Sequence, residues 1–272
     1  MIDPAAVLAW GAPRRRDLPW RRTRDPWRVL VAEVMLQQTQ VERVVPKWEA
    51  FLSAYPSPAA CARAPLGDVL RLWNGLGYPR RARNLHDAAS AMCERHGGRV
   101  PDQLAALVAL PGIGPYTARA VLAFAYERDV AVVDTNIARV LARSAGRRLT
   151  TADAQTAADR LVPAGAGWVW NQTLMDLGAT LCRPAPRCDA CPIGLGCRWH
   201  LGANAAPDPA HGSAGVSTAQ PRFEGSDRQA RGRVLATLTR GPAPRATFEP
   251  RIVDGLVADR LVTLDGDSVR LP

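Results

Sequence analysis

The chain has 272 residues, enough for one large domain or two unequal ones, and carries 35 Lys and Arg against 25 Asp and Glu, with a pI of about 10.1. That surplus favours a polyanionic partner, nucleic acid above all, and it is uneven: residues 1–200 hold 26 basic and 17 acidic side chains, residues 201–272 hold 9 and 8. No run is long and apolar enough to span a bilayer and the N-terminus lacks the basic-then-apolar order of a signal peptide, so a cytoplasmic protein associated with the nucleoid, without membrane contact, is expected. Lys47 is the only lysine, so guanidinium supplies nearly all the positive charge and suits bidentate phosphate contacts.

Pro4 to Trp10 predicts a short amphipathic helix, followed by a basic loop from Arg14 to Arg22 in which arginines flank Trp20. Pro26 after Asp25 opens a helix running from Trp27 to about Gln40, with Val31, Val34 and Met35 at helical spacing. Glu33 lies on this apolar stretch, and a glutamate there calls for a reason because Glu is rarely buried without a partner. Shorter helices are expected over Lys47 to Tyr55, Pro58 to Ala64, Leu66 to Trp73 and Ala82 to His96. Between the last two, Gly75-Leu76-Gly77-Tyr78-Pro79 breaks the pattern and presents Tyr78 beside Arg80, Arg81 and Arg83. An aromatic among arginines is the composition of a wedge that enters a base stack; the alternative is a core tyrosine above a basic face.

Residues 104 to 143 form the organising stretch. Leu104, Leu107 and Val108 give a first helix its apolar face, Leu110-Pro111-Gly112-Ile113-Gly114 stops it, and a second helix starts near Pro115. Gly112 and Gly114 let the turn leave ordinary backbone space and approach another backbone, and N–H groups at a helix start suit a phosphate. Eighteen residues beyond Tyr116, the run Val130 to Val133 ends at Asp134, a helix cap by residue type, which opens a helix from Thr135 to Arg143.

Two further helices fit between Thr151 and Leu181, the second from Trp168 with Asp176 on it. Cys182, Cys188, Cys191 and Cys197 follow within sixteen residues, and by spacing alone they are a disulfide framework, a zinc site or an iron–sulfur site; an intracellular chain disfavours disulfides. Cys61 and Cys93, on helical stretches far from these, read as buried thiols. Residues 201–222 are rich in Ala, Gly, Pro and Ser and read as a linker. Ser226 then caps a helix from Asp227 to Thr239, a second helix covers about Phe248 to Asp259, and residues 261–271 form a hairpin turning at Asp-Gly, together a small winged-helix-like module over 223–272.

The helix, Leu-Pro-Gly-Ile-Gly hairpin, helix and Val-Val-Asp134-Thr-Asn order resembles the helix-hairpin-helix signature of DNA base-excision glycosylases, and Glu33 to Val41 resembles the acid-bearing segment of the MutY-type adenine glycosylases within that superfamily. The resemblance implies a mainly α fold, two helical subdomains with a cluster loop over 182–197, occupying 1–200. It implies Glu33 and Asp134 as catalytic residues, Gln38, Tyr78, Gly112, Gly114 and Tyr116 as DNA-contacting, Trp20, Arg21 and Asp176 as the base pocket, and Cys182, Cys188, Cys191 and Cys197 as ligands of one 4Fe-4S cluster. The gap between the first two cysteines holds five residues where the family usually has six. Many MutY-type enzymes end in a Nudix-like domain that helps detect 8-oxoguanine, and some fifty residues are too few for it. The function implied is monofunctional hydrolysis of the N-glycosidic bond of adenine opposite 8-oxoguanine or guanine in double-stranded DNA, by a monomer that extrudes the base. A thymine or uracil mismatch glycosylase of the same superfamily, and a catalytically silent DNA-binding protein, are the alternatives; Glu33 and Asp134 argue against the silent one.

Overall fold

In the computed structural model, which describes residues 2–216 and 222–272, the chain is mostly helical, and among the described residues the strands form one three-stranded sheet near the C-terminus. Helix starts are written in the caps. The side chains of Asp3, Asp25, Ser57, Asp134, Thr150 and Ser226 each accept a hydrogen bond from a backbone N–H of the first turn they precede. Most expected and observed helices agree to within a few residues, but the helix expected from Lys47 starts at Val41 and runs through Pro46 to Ala54, and two further exceptions are instructive. The Glu33 helix, Pro26–Leu36, stops short of Gln40 because Gln38 takes a left-handed backbone, φ 55°. The first hairpin helix, Leu104–Val108, is a single turn that buries Leu107 while Leu104 and Val108 face solvent, so its apolar face is one residue wide rather than three.

The described residues divide into two compact units, and the division does not follow chain order. One comprises residues 2–24 and 118–216. Its core gathers Val7, Ile137, Leu141, Trp170, Leu174 and Leu177 from the helices Pro4–Gly11, Thr135–Ala145 and Gly167–Thr180. The described part of the expected linker, 201–216, is fastened to this unit: Asp208 bridges Arg143 at 2.6 Å, Leu149 N–H donates to Ser213 Oγ at 3.1 Å, and Ala214 N–H donates to the Leu149 carbonyl at 2.9 Å. The rest of that stretch, 217–221, lies outside the described residues.

The other unit comprises 25–117 and 222–272. Trp27 donates to the Tyr55 carbonyl at 2.9 Å, and Phe51 meets Tyr55 and Trp73 edge-on with centroids 5.1 and 6.2 Å apart. The C-terminal residues run helix Asp227–Leu238, strand Ala243–Pro244, helix Pro250–Ala258, then the hairpin Thr263–Asp265 and Ser268–Arg270, whose second strand takes the centre of an antiparallel sheet. The short strand Ala243–Pro244 between the helices is not among the expected elements, while the two helices and the hairpin follow in the order expected for a winged-helix-like module. It does not stand apart as a unit of its own: Arg80 and Arg231 both bridge Asp259, Arg260 bridges Asp87 at 2.7 Å, and Gly67 N–H donates to the carbonyl of Pro272 at 2.9 Å. Among the described residues no helix is long and apolar enough to cross a membrane.

Gly67 is where the C-terminus seats. A Cβ there would lie 2.4 Å from the Pro272 carbonyl oxygen, which is backbone and cannot swing aside. Gly67→Val should therefore destabilise the chain by about 1–3 kcal/mol, read as a lowered denaturant midpoint at unchanged slope; an unchanged midpoint would show that the C-terminal seat carries no stability.

Candidate active site

In the unit of residues 25–117 and 222–272, Glu33 is 6 % exposed on a helix whose neighbouring residues are all apolar, and its Oε2 accepts a hydrogen bond from the Tyr116 hydroxyl at 3.0 Å. Tyr116 stands at the start of the helix Pro115–Phe124 that leaves the glycine hairpin, and Gln37 Nε2 donates to Thr117 Oγ1 at 3.3 Å beside it. Two segments some eighty residues apart in sequence are thus tied at the buried carboxyl group.

Arg81 sets the frame around Glu33. Its Nη1 donates to the carbonyls of Val34, Met35 and Gln37 at 2.9, 2.8 and 2.6 Å, and its Nη2 to those of Leu76 and Gly77 at 3.0 and 3.1 Å and to Thr39 Oγ1 at 3.0 Å. The end of the Glu33 helix and the turn carrying Tyr78 are held by one guanidinium. Burial pushes the pKa of Arg81 down to about 10, and a neutral guanidine at physiological pH is still a minor species. The three arginines beside Tyr78 part company: Arg81 is buried, Arg83 is half-buried and donates to the Asp259 carbonyl, and Arg80 bridges Asp259 while staying exposed. Helical periodicity is the reason: Arg80 and Arg83, three residues apart in the first turn of Arg80–His96, share a face and both reach Asp259, whereas Arg81 lies on another face.

Gln38 and Tyr78 hold left-handed backbone, φ 55° and 48°, two of six such non-glycine residues among those described. Such conformations cost energy and persist where the surroundings impose them. Gln38 is exposed and Tyr78 half-buried. The hairpin glycines differ in what they require. Gly112 has φ 73° and a Cβ on it would strike Asn84 at 2.6 Å, whereas Gly114 has no such φ and a Cβ there would meet nothing within 4 Å.

In the unit of residues 2–24 and 118–216, Asp134 caps the helix Thr135–Ala145, accepting from Ile137 N–H at 2.7 Å and from Asn136 Nδ2 at 2.8 Å. Loss of water around the carboxyl group raises its pKa, and those two hydrogen bonds oppose the rise. Asn136 was not singled out by sequence reading, although the Asp-Thr-Asn run contains it. Trp20 and Arg21 are buried, and Arg21 grips Asp176 through two hydrogen bonds of 2.7 and 3.0 Å while Arg16 adds a third and a fourth through Nε and N–H at 2.5 and 3.1 Å. Asp176 is thereby the anchor of the basic loop. Burial alone would raise its pKa, but the two guanidinium groups outweigh it and the carboxyl sits below its ordinary value.

The four clustered cysteines line one pocket together with Arg143, Ile193, Trp199 and His200. Among the described residues no three His, Cys, Asp or Glu side chains are grouped closely enough to hold a metal ion. Burial pushes the Cys191 thiol up to about 11, and ligation requires its proton to leave. Arg143, buried against Trp199 at 4.6 Å, points Nη1 at Cys182 Sγ, 3.5 Å away, and offers the positive charge that thiolates would need.

Residues 31–163, which span Glu33, the hairpin and Asp134, match the family model described as HhH-GPD superfamily base excision DNA repair protein. Proteins named adenine DNA glycosylase from Mycolicibacterium smegmatis and Mycobacterium tuberculosis are 41 % and 40 % identical to 98 % of this chain, covering 94 % and 92 % of their own lengths. The chain belongs to the HhH-GPD superfamily of base excision DNA repair proteins. The human adenine DNA glycosylase is 38 % identical over 71 % of this chain and 38 % of its own. Among solved structures, a thermostable thymine-DNA glycosylase superposes with TM-score 0.68 at 30 % identity over 73 % of this chain and 95 % of its own. An endonuclease III–DNA complex shares the fold at TM-score 0.65 and 22 % identity, over 75 % of this chain and 100 % of its own.

The Arg16–Arg21–Asp176 group makes a prediction about acid. A folded-state pKa below the unfolded value near ~3.9 means Asp176 stabilises the fold fully above that pH, and that the contribution is lost as pH falls through the lower folded value. Asp176→Asn should leave two guanidinium groups short of a charge partner and cost about 3–5 kcal/mol at neutral pH. The gap in stability between the wild-type chain and the variant should narrow in unfolding experiments below about pH 4; a constant gap would mean that the ion pairs add nothing.

Proposed function

We propose that this chain is a monofunctional adenine DNA glycosylase that hydrolyses the N-glycosidic bond of adenine opposite 8-oxoguanine or guanine in double-stranded DNA, acting as a monomer. The observation that carries the reading is the buried Glu33–Tyr116 pair in a chain alike over nearly its whole length to adenine glycosylases. Breaking this bond puts positive charge on the sugar and negative charge on the departing base, so an acid for the base and a carboxylate for the sugar divide the work. Glu33, kept from water, serves as the acid that protonates the adenine ring, with the Tyr116 hydroxyl fixing the orientation of its carboxyl group. Asp134 serves the sugar. Its anion is fixed by a helix N-terminus and an amide and is poorly hydrated, so it gains more from an adjacent cation than a solvated carboxylate would. The adenine must leave the stack to be reached, and the strained turns of Gln38 and Tyr78 suit residues that probe or fill the disturbed duplex. Gly112 and Gly114, with the helix N-terminus that follows, suit a backbone phosphate. Trp20 and Arg21, anchored through Asp176, form the base pocket in this reading, so Asp176 acts there through Arg21.

Glu33→Gln and Asp134→Asn should each lower single-turnover adenine release by at least about 10³-fold while changing mismatch affinity little, because the carboxylates act in the transition state and affinity rests on phosphate contacts. A panel of A opposite 8-oxoguanine, A opposite G, T opposite G and U opposite G tests the substrate. The thymine-DNA glycosylase among the structural relatives is the ground for the second reading, and preferential release of T or U by the wild-type chain would establish it instead.

Strand cleavage should be absent. Strand-cutting relatives use a lysine just after the hairpin to form an imine with the sugar, and a phenol at that place forms none. The sole lysine, Lys47, spends its Nζ on the Leu72 carbonyl at 3.2 Å. Borohydride should trap little protein on DNA, with strand breaks appearing only after alkali; efficient trapping would end the monofunctional assignment.

Support for one 4Fe-4S cluster on the four cysteines comes from four thiol donors lining one pocket and a buried arginine that would offset its charge. Cys182, Cys188, Cys191 and Cys197 would hold the cluster, which would make the 182–197 loop rigid; Arg183 and Arg187 of that loop lie exposed, with Arg198 just beyond it. Metal analysis should find about four irons per chain. One zinc without iron would reject the cluster.

A further inference from the structure

Arg228 is the second residue of the helix Asp227–Leu238, and its place is not explained by the core of its own module, which is built from Val234, Leu238, Ile252, Val253, Leu256 and Val269. It reaches instead to the Tyr78 turn within the same unit. Nη1 donates to the Tyr78 hydroxyl at 2.8 Å, and the guanidinium lies 5.8 Å from the centre of the Tyr78 ring and 5.1 Å from that of Phe223. Phe223 is 51 % exposed. One guanidinium therefore lies against two aromatic rings, and the ring on the left-handed turn is hydrogen-bonded through its hydroxyl.

We propose that Phe223 and Arg228 form, with Tyr78, a stacking platform for the base left unpaired when adenine is extruded, so that the C-terminal module takes part in recognising the base opposite the substrate. The inference rests on the glycosylase reading given above. An orphaned base offers a π face, which aromatic rings and guanidinium planes cover without regard to sequence, and a polar edge. On a purine of the guanine type that edge carries carbonyl oxygens, for which an arginine is the matching donor. The hydrogen bond to Tyr78 orders both side chains before DNA arrives, so less freedom is lost on binding. Charge adds to the fit, because the platform lies beside a polyanion and its central group is a cation.

The test is a cycle between protein and DNA. Affinity of the full chain is measured for duplexes carrying an abasic analogue opposite 8-oxoguanine, and for the same duplexes with a second abasic analogue in place of the 8-oxoguanine. The wild-type chain should favour the base-bearing duplex by about tenfold, the value of one stacked base. Phe223→Ala and Arg228→Ala should each bring that preference close to one while both duplexes remain bound through phosphate contacts. Arg228→Lys keeps the charge but not the plane, and it should behave like Arg228→Ala, which separates stacking from electrostatics and spares the fold. A wild-type chain indifferent to the opposite base, or variants that keep the wild-type preference, would overturn the platform. Adenine release by the wild-type chain is followed separately: failure there counts against the glycosylase reading, whereas full release with an unchanged preference in the variants counts against the platform alone.

Discussion

One buried guanidinium carries much of the arrangement. Arg81 closes the end of the helix that bears Glu33 and, with its other nitrogen, the turn that bears Tyr78. The last carbonyls of a helix lack intrahelical partners, and a tight glycine turn leaves more carbonyls exposed. A group with five donors and no acceptor answers both needs at once, which lysine with a single rotating ammonium would not. Carbonyl dipoles and the Trp73 and Tyr78 rings, each 5.5 Å away, are what surround the charge. Holding it out of water costs energy, and the return is a fixed distance between a buried carboxyl group and a strained aromatic turn.

Three carboxyl groups show how surroundings assign roles to one chemistry. Glu33 sits in apolar packing with a phenol for company, Asp134 at a helix N-terminus with an amide, and Asp176 between two arginines. The last is a strongly paired anion with its oxygens spoken for, which suits an anchor. Glu33 accepts from a phenol, and Asp134 accepts from a backbone N–H and an amide with Arg139 adding positive charge nearby, so neither is gripped by paired guanidinium groups in the way Asp176 is.

The C-terminal residues change meaning once their contacts are known. Asp259 gathers Arg80 and Arg231, Pro272 receives a hydrogen bond from Gly67, and Arg228 reaches Tyr78. A module that composition sets apart behind a linker is thus joined by ion pairs and backbone to the segment carrying Glu33.

The sequence alone determined the helices, the hairpin, the candidate carboxylates and the cysteine loop, because caps, periodicity and spacing are local properties that residue types express directly. Only the tertiary structure decided that Arg81 turns inward while its neighbours bridge an aspartate from the far end of the chain, since partners such as Asp259, 179 residues from Arg80, leave no local signal. The same holds for Gly112 and Gly114, equal as letters, of which only the first is forced by its backbone and by Asn84. That Arg16 and Arg21, some 155 to 160 residues away, both bind Asp176 is likewise decided only by the fold. Burial and pairing at long range are summed over the whole fold, and that sum is what a residue's place in the sequence does not contain.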